Sequence, residues 1–196
     1  MSLEDTYDPA LVEDAADRLV IISGCSGGGK STLLGELARR GHAVCEEAGR
    51  QVVKKQLYIG GDALPWGNAA KFVELTVSRT INNMINAARS GRLTFFDRGI
   101  IDQVAGGTHA GLAVPEHVRT AARRLRCNWL VFLAPPWREI FATDAERRHG
   151  FEEAASSFEP LRAAYQAMEY AIVELPRISP GRRADFVLNV LLGTGN

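Results

Sequence analysis

The sequence of 196 residues has few of the features that mark membrane, secreted or metal-stabilised proteins. It contains no apolar run long enough to cross a bilayer, so no membrane-spanning protein is expected. Its three cysteines, Cys25, Cys45 and Cys127, are widely spaced and odd in number, which predicts neither a disulfide framework nor a zinc site. A reducing, cytoplasmic setting is therefore expected.

The chain also lacks an excess of charge of either sign, because 23 Lys and Arg residues balance 23 Asp and Glu residues. No global basic field recruits nucleic acid or anionic lipid, so any anion must be bound by a local site. Several arginines crowd one predicted helix, and at zero net charge we interpret them as a solvated face. They are Arg119, Arg123, Arg124 and Arg126.

Length and composition suit one globular domain with a sizeable core. Apolar residues make up 46% of the chain and charged residues 23%, a balance that argues against disorder. Residues 1–17 carry six acidic side chains, and this composition predicts an acidic arm that is frayed or loosely docked. Residues 18–196 are predicted to form a single domain, because the chain is too short for two ordinary ones.

Short apolar runs alternate along the chain with segments of helical periodicity. The runs predict strands at Leu19–Ile22, Ala43–Cys45, Leu93–Phe96, Trp129–Leu133 and Ala171–Val173. Helices are predicted at Ser31–Arg40, Phe72–Ala88, Pro115–Leu125, Phe158–Glu169 and Gly181–Leu192. This alternation is typical of an α/β protein whose parallel sheet is covered by helices on both faces.

One segment matches the eight-residue P-loop pattern without a mismatch: Gly24-Cys25-Ser26-Gly27-Gly28-Gly29-Lys30-Ser31. It lies between a predicted buried strand and a predicted helix, which is the context that the pattern requires. Glycines let backbone N–H groups approach a phosphate, and the following helix directs its positive end at the same anion. We therefore predict a phosphate site formed by Gly24, Ser26, Gly27, Gly28, Gly29, Lys30, Ser31 and Thr32.

The chemistry of this loop predicts ATP and Mg2+ as cofactors. Lys30 is expected to reach the β- and γ-phosphates, and the Ser31 hydroxyl to ligate magnesium. Asp97 ends the third predicted strand, where a carboxylate can hold magnesium directly or through water; a cap on a surface turn is the alternative. Arg98, the next residue, could contact a substrate or a phosphate. For Asp102, a helix cap and a substrate contact stay open.

Two carboxylates, Glu46 and Glu47, follow the second predicted strand. At the carboxyl end of a strand, either could face the phosphoryl acceptor and accept a hydroxyl proton. The sequence does not decide between them, and a solvated pair at the start of a helix is the alternative. After the fourth strand, an arginine-bearing lid around residues 138–155 could close over the nucleotide. An exposed helix with Asp144 paired to Arg148 is the alternative there.

These segments together resemble the small predicted AAA-type ATPases that are related to the ribosylnicotinamide kinase domain, within the wider P-loop kinases. The resemblance spans Leu19 to about Ile178, and the segment Arg183–Phe186 is similar to the C-terminal helix of the family. Its motifs are Gly24–Thr32, Glu47–Arg50, Gly61–Trp66, Phe96–Gly99 with Asp102, Pro135–Trp137 and Asp144–Arg148. Gly49 stands where the family pattern leads us to expect alanine, which makes the start of the following helix less certain.

The resemblance implies a three-layer α/β/α sandwich whose five-stranded parallel sheet has the strand order 2-3-1-4-5. It also implies that Glu47 faces the acceptor, that Asp97 is the carboxylate on the magnesium side, and that Arg147 or Arg148 acts from the lid. Further candidates for substrate contact are Arg50, Arg98 and Asp102.

The expected function is that of an ATP- and magnesium-dependent kinase for a small, nucleoside-like metabolite. The alternative is a nucleotide-dependent switch that binds a partner protein and hydrolyses ATP or GTP slowly. No Asn-Lys-x-Asp motif for reading guanine occurs, which disfavours an ordinary G protein. As partners we expect a nucleotide and a small-molecule acceptor, and neither a membrane nor nucleic acid; a homodimer stays open.

Overall fold

A parallel five-stranded sheet forms the centre of the computed structural model, which describes residues 7–142 and 150–193. The strands are β1 Leu19–Gly24, β2 Ala43–Cys45, β3 Thr94–Asp97, β4 Leu130–Ala134 and β5 Ala171–Glu174. Their order across the sheet is β2-β3-β1-β4-β5, and every neighbouring pair is parallel. The predicted α/β class and strand order are confirmed.

Helices connect successive strands and cover the sheet. They are α1 Leu11–Asp14, α2 Lys30–Arg39, α3 Ala48–Ile59, α4 Ala69–Ser90, α5 Ile100–His109, α6 Glu116–Arg124, α7 Phe151–Ser156, α8 Phe158–Ala167 and α9 Pro180–Gly193. Single 3-10 turns follow α1 and β4, at Ala16–Arg18 and Arg138–Ile140. None of these described helices is both long and apolar enough to cross a membrane.

The alternation of side chains along β1 divides the core into two layers. Val20 and Ile22 pack with residues of α2 and α9 on one face of the sheet. Leu19 and Ile21 pack on the other face with residues of α4, α5 and α8. All four side chains are buried, because helices cover both faces of the central strand. Since β1 is fixed from both sides, the loop that follows it starts from a rigid position.

The local structure differs from the sequence analysis at β2 and at α5. The second strand was predicted to be buried, but β2 is an edge strand that pairs with β3 and is half-buried. The helix α5 was not predicted, because Gly106 and Gly107 interrupt its helical pattern and lower its intrinsic propensity. Burial of Ile100, Ile101 and other apolar side chains of α5 in the core outweighs this propensity.

The expectation of a loosely docked N-terminal arm is wrong for residues 11–17. Val12 and Ala15 are 0% and 1% exposed and belong to the same core layer as α4. They lie three residues apart and so share one helical face, while Glu13 and Asp14 stay exposed on the other side. The acidic residues Glu13 and Asp14 therefore form the solvent-exposed side of a helical segment that packs on the core.

Candidate functional site

A cavity of about 610 Å3 lies at the carboxyl ends of the strands. The P-loop forms its floor, with Ser26, Gly27, Gly29, Lys30, Ser31 and Thr32. One end, the carboxylate end, is lined by Glu47, Arg50, Asp97 and Arg98. The opposite end, the apolar end, is lined by Trp137, Ile140, Arg177, Ile178, Ser179, Pro180 and Arg183. The cavity thus joins most of the predicted phosphate-binding residues to three of the predicted acceptor-side residues.

The glycines of the P-loop permit a backbone path that other residues would block. Gly24 has φ of 114°, and a Cβ there would lie 2.3 Å from the carbonyl oxygen of Ala134. The next residue, Cys25, donates its backbone N–H to that same oxygen at 2.8 Å. Gly24 and Gly28 are not among the residues that line the cavity. These two predicted members of the phosphate site therefore set the path of the loop backbone without lining the cavity.

Lys30 begins α2 and lies folded back onto the loop. Its Nζ atom donates to the carbonyl oxygens of Cys25 at 2.8 Å and Gly24 at 3.3 Å. Burial, reinforced by the charge of Arg98, lowers the pKa of Lys30 to about 8, although nearby carboxylates oppose the change. The ammonium group is still mostly charged at neutral pH and is available to a phosphate that replaces these carbonyl contacts.

Asp97 presents a buried carboxylate oxygen with an unmet bonding capacity. Its Oδ1 atom has no hydrogen-bond partner among the described residues. Burial raises the pKa of Asp97 to about 6, and the attraction of Lys30 only partly offsets that effect. The opposed shifts of Asp97 and Lys30 have the same cause, because burial disfavours the charged form of each group.

Asp97 and Ser31 fit the magnesium role that was predicted for them. Both line the same cavity, and a hydroxyl with an unpaired carboxylate oxygen is a donor set that suits a hard cation. No cluster of three or more His, Cys, Asp or Glu side chains that could hold a metal occurs within the described ranges. Magnesium would therefore need phosphate and water oxygens to complete its coordination, as it commonly does in phosphate sites.

The structure separates the two adjacent glutamates. Glu47 lines the cavity, where its carboxylate lies 3.2 Å from Nε of Arg98 and 3.4 Å from Nε of Arg50. Glu46 is exposed and accepts a long hydrogen bond from Gln51 at 3.4 Å. Of the two glutamates, Glu47 therefore lines the cavity and Glu46 faces solvent.

Arg98 connects Glu47 to a second carboxylate below the cavity. It has φ of 69°, an uncommon conformation for a residue with a side chain, and its Nη1 atom lies 2.9 Å from Oδ1 of Asp102. Burial alone would lower the pKa of Arg98, but Glu47, Asp102 and Asp97 outweigh it and raise that pKa above its ordinary value. The guanidinium is therefore held as a permanent cation between two acids.

Asp102 is buried and is not among the residues that line the cavity. Its carboxylate accepts hydrogen bonds from Gly99 N at 2.8 Å, Tyr165 OH at 2.6 Å and the Ser23 hydroxyl, besides the contact with Arg98. The bond to Gly99 caps the N-terminus of α5. Asp102 thus has the position of the helix-cap alternative, and not that of a residue touching substrate.

Replacing Asp102 with asparagine should lower the free energy of unfolding by about 3 kcal/mol. The amide would present donors to groups that already donate, and Arg98 would lose a buried countercharge. Urea denaturation at pH 7 measures the change. Asp62→Asn is a matched control, because the Asp62 carboxylate is exposed and paired with Lys71; we expect a change within about 0.5 kcal/mol there. Equal effects of the two substitutions would contradict the role of the buried network.

The predicted lid is described in part. Phe141, before the gap in the described residues, packs on the P-loop, since a Cβ at Gly27 would lie 2.5 Å from its ring. Its ring also meets that of Phe151 edge to face, at 5.5 Å between centroids. Arg138 forms an ion pair with Glu152 and lies over the Phe151 ring. The two flanks of the lid are thus in contact, whereas Arg147 and Arg148 lie outside the described residues.

The apolar end of the cavity holds a residue to which the sequence assigned no role in the site. Arg183, on α9, is 2% exposed and donates from Nη1 to the carbonyl oxygen of Gly28 at 2.8 Å and from Nε to that of Pro176 at 2.9 Å. Its guanidinium carbon lies 5.2 Å from the ring centroid of Trp137. The signal in the sequence was the segment Arg183–Phe186, which resembled a family helix but gave no indication of a ligand contact.

Comparison with known proteins identifies a family model and related folds. A model described as an AAA domain matches residues 19–183, most of the chain. A search of curated proteins gives no match. The structure of NadR protein in complex with NR superimposes with a TM-score of 0.65 at 19% identity, covering 91% of this chain and 51% of that one. The chain thus spans about half the length of the NadR chain.

Two kinases share the fold over nearly their whole length. Thymidylate kinase from Ehrlichia chaffeensis has a TM-score of 0.57 at 14% identity, covering 89% of this chain and 97% of its own. Shikimate kinase from Acinetobacter baumannii, in complex with shikimate, has a TM-score of 0.54 at 14% identity, covering 94% and 98%. At these identities the likeness establishes the P-loop kinase fold.

Proposed function

The chain belongs to the AAA domain family, and from that premise we propose that it is an ATP- and magnesium-dependent phosphotransferase acting on a small, nucleoside-like metabolite. The observation that supports the proposal most directly is one cavity that joins the P-loop, with Lys30 and Ser31, to the carboxylate end, which Glu47 and Asp97 line. A nucleotide needs the first part, and an acceptor hydroxyl needs the second.

The residues divide the work of phosphoryl transfer between them. Lys30 leaves the carbonyl oxygens of the loop and neutralises charge on the transferred phosphoryl group. Ser31 and Asp97 would hold magnesium, which would supply further neutralisation of phosphate charge. Glu47 orients the acceptor hydroxyl and accepts its proton as the oxygen attacks the γ-phosphorus. The bond from that phosphorus to the β–γ bridging oxygen breaks, and ADP leaves. Arg147 or Arg148 completes the charge stabilisation from the lid.

The size of the cavity favours a small acceptor. A volume of about 610 Å3 falls in the range of sites for small molecules and cofactors, and has room for a nucleotide with a compact second ligand. At the carboxylate end of the cavity, the guanidinium groups of Arg98 and Arg50 lie beside the carboxylate of Glu47. The structure of NadR protein, about half of which this chain matches, is of a complex with NR, and this supports a nucleoside-like acceptor for the present chain.

A second candidate function is a nucleotide-dependent switch that binds a protein partner. A specific observation favours it: Leu57, Tyr58 and Ile59 at the end of α3 are 51%, 92% and 59% exposed. Three consecutive exposed apolar residues form a surface that a protein partner could cover. Slow hydrolysis of ATP or GTP, together with partner binding that depends on the nucleotide, would support the switch over the kinase.

The deciding experiment searches for the phosphorylated product. Purified protein is incubated with Mg2+, ATP and a fractionated metabolite extract, and mass spectrometry identifies compounds that gain one phosphoryl group. The Lys30→Ala protein provides the blank. A phosphorylated compound absent from the blank establishes the kinase and identifies its acceptor. If ATP is bound but yields only phosphate in every fraction, the kinase proposal fails.

A further inference from the structure

The carboxylate of Asp102 is fully occupied by hydrogen-bond donors. Its Oδ1 atom accepts from the Ser23 hydroxyl and from Nη1 of Arg98, the latter at 2.9 Å. Its Oδ2 atom accepts from Gly99 N at 2.8 Å and from Tyr165 OH at 2.6 Å. A carboxylate has about two lone-pair positions on each oxygen, so every position of Asp102 is taken. Arg98 therefore reaches Asp102 through one nitrogen.

The other side of the Arg98 guanidinium faces Glu47. Its Nε atom lies 3.2 Å from the Glu47 carboxylate, which lines the carboxylate end of the cavity. A guanidinium and a carboxylate pair most strongly through two parallel N–H···O bonds. An open lone pair on Oδ2 of Asp102 would therefore draw Arg98 into a two-bond pair with Asp102 and away from Glu47. The position of Arg98 between the two acids thus depends on the donors that occupy Oδ2.

The side-chain donor to Oδ2 is Tyr165, on α8. It is 0% exposed, and burial together with the charge of Asp102 raises the pKa of Tyr165 well above its ordinary value, so its hydroxyl keeps the proton that it donates. We propose that Tyr165 is a positioning residue for phosphoryl transfer. Its hydroxyl occupies Oδ2 of Asp102 and so keeps the Arg98 guanidinium beside Glu47. The inference rests on the proposed function, since Glu47 is the carboxylate proposed to accept the hydroxyl proton.

The competing role for Tyr165 is a structural one, in which its buried side chain only stabilises the core. Tyr170 provides a matched control, because it is also buried and its ring meets that of Tyr165 edge to face, at 5.5 Å between centroids. Its hydroxyl accepts from Cys127 N at 3.1 Å. Replacing either tyrosine with phenylalanine keeps the ring and removes one buried hydrogen bond, so a purely structural role predicts equal consequences.

Formation of ADP from ATP that depends on the metabolite extract measures the effect on phosphoryl transfer. We expect Tyr165→Phe to lower kcat about tenfold, because displacing a catalytic group by about 1 Å can cost about a hundredfold. The Kd for ATP, measured by calorimetry, should stay within about twofold of wild type. Tyr170→Phe should keep the wild-type kcat. An unchanged kcat in Tyr165→Phe, or an equal fall in both variants, overturns the inference.

The same substitution in a Glu47→Gln background tests the route of the effect. If Tyr165 acts through the aim of Glu47, the double variant should have the kcat of Glu47→Gln alone, because the two changes remove one shared function. A structural defect would act independently and lower kcat by about the same tenfold factor again. A further loss of that size in the double variant therefore overturns the inference.

Crystal structures of the wild type and of Tyr165→Phe give a second measurement, which needs no acceptor. In the variant, Nε of Arg98 should lie more than about 4 Å from the Glu47 carboxylate, with two guanidinium nitrogens at hydrogen-bond distance from Asp102. An unmoved Arg98 in the variant, or a two-nitrogen pair with Asp102 already in wild type, overturns the inference. If wild-type protein yields no phosphorylated product, the proposed function fails, and the crystal structures still decide separately whether Tyr165 positions Arg98.

Discussion

Replacing Lys30 with alanine should lower kcat/KM for phosphoryl transfer from ATP by about a thousandfold. Lys30 is the P-loop lysine, it is buried at the floor of the cavity, and its Nζ atom contacts two loop carbonyls that a phosphate can replace. Without it, the developing charge on the moving phosphoryl group loses the buried cation of Lys30. Formation of ADP measured at saturating acceptor extract, with ATP varied, gives the change.

The same substitution should leave the folded protein at least as stable as wild type at pH 7. Burial lowers the folded-state pKa of Lys30 from 10.5 to about 8. The folded protein therefore binds the proton of Lys30 less tightly than the unfolded chain does, so ionised Lys30 opposes folding below pH 10.5, and the full cost applies below about pH 8. Alanine removes that cost. A loss of activity that accompanied unfolding would contradict the catalytic explanation, and Lys71→Ala, at an exposed lysine paired with Asp62, should change neither property.

The parts of the site that the sequence predicted are those encoded by neighbouring residues. The P-loop is a local pattern of glycines with Lys30 and Ser31, and the chemistry of phosphate binding follows from residue types alone. Asp97 was likewise predicted, because an apolar strand ends at that residue. Short, continuous apolar runs predicted strands within one or two residues of their bounds. For β1, β3 and β4 the reason is that a strand buried on both faces leaves that signature.

The residues that the sequence did not predict are joined by contacts between distant parts of the chain. Ser23 and Tyr165 meet at the carboxylate of Asp102, although they lie 79 and 63 residues from it. Arg183 contacts Gly28 across 155 residues. Such contacts depend on how helices pack against the sheet, and a serine, a tyrosine or an arginine carries no local mark of that packing. The groups that donate hydrogen bonds to Asp102 come together only in the folded chain.

The sequence also did not decide which of the adjacent residues Glu46 and Glu47 faces the cavity. Both follow β2 and precede α3, and the alternation of side chains that holds within a strand does not extend through the junction. In the structure, Arg98 and Arg50 lie beside the carboxylate of Glu47, while Glu46 remains exposed. The site therefore offers a test in which two adjacent, chemically identical residues should behave differently.

Glu47→Gln should lower kcat for acceptor phosphorylation by about a hundredfold to ten thousandfold, the usual contribution of a general base. The amide keeps the size of the side chain but cannot take the hydroxyl proton, and it removes the negative charge between Arg98 and Arg50. The Kd for ATP should stay within about twofold of wild type, because the donor half of the cavity is untouched. ADP formation that depends on the acceptor extract measures kcat, and calorimetry measures the Kd.

Glu46→Gln is the matched control for this prediction, since it makes the same chemical change one residue away. Its carboxylate faces solvent and does not line the cavity, so both kcat and the Kd for ATP should remain at the wild-type values. If the two variants lost activity equally, general electrostatics at the start of α3 would explain the effect in place of proton transfer. If Glu47→Gln weakened ATP binding but left kcat unchanged, Glu47 would contact the nucleotide. The acceptor would then have to bind at a different part of the cavity.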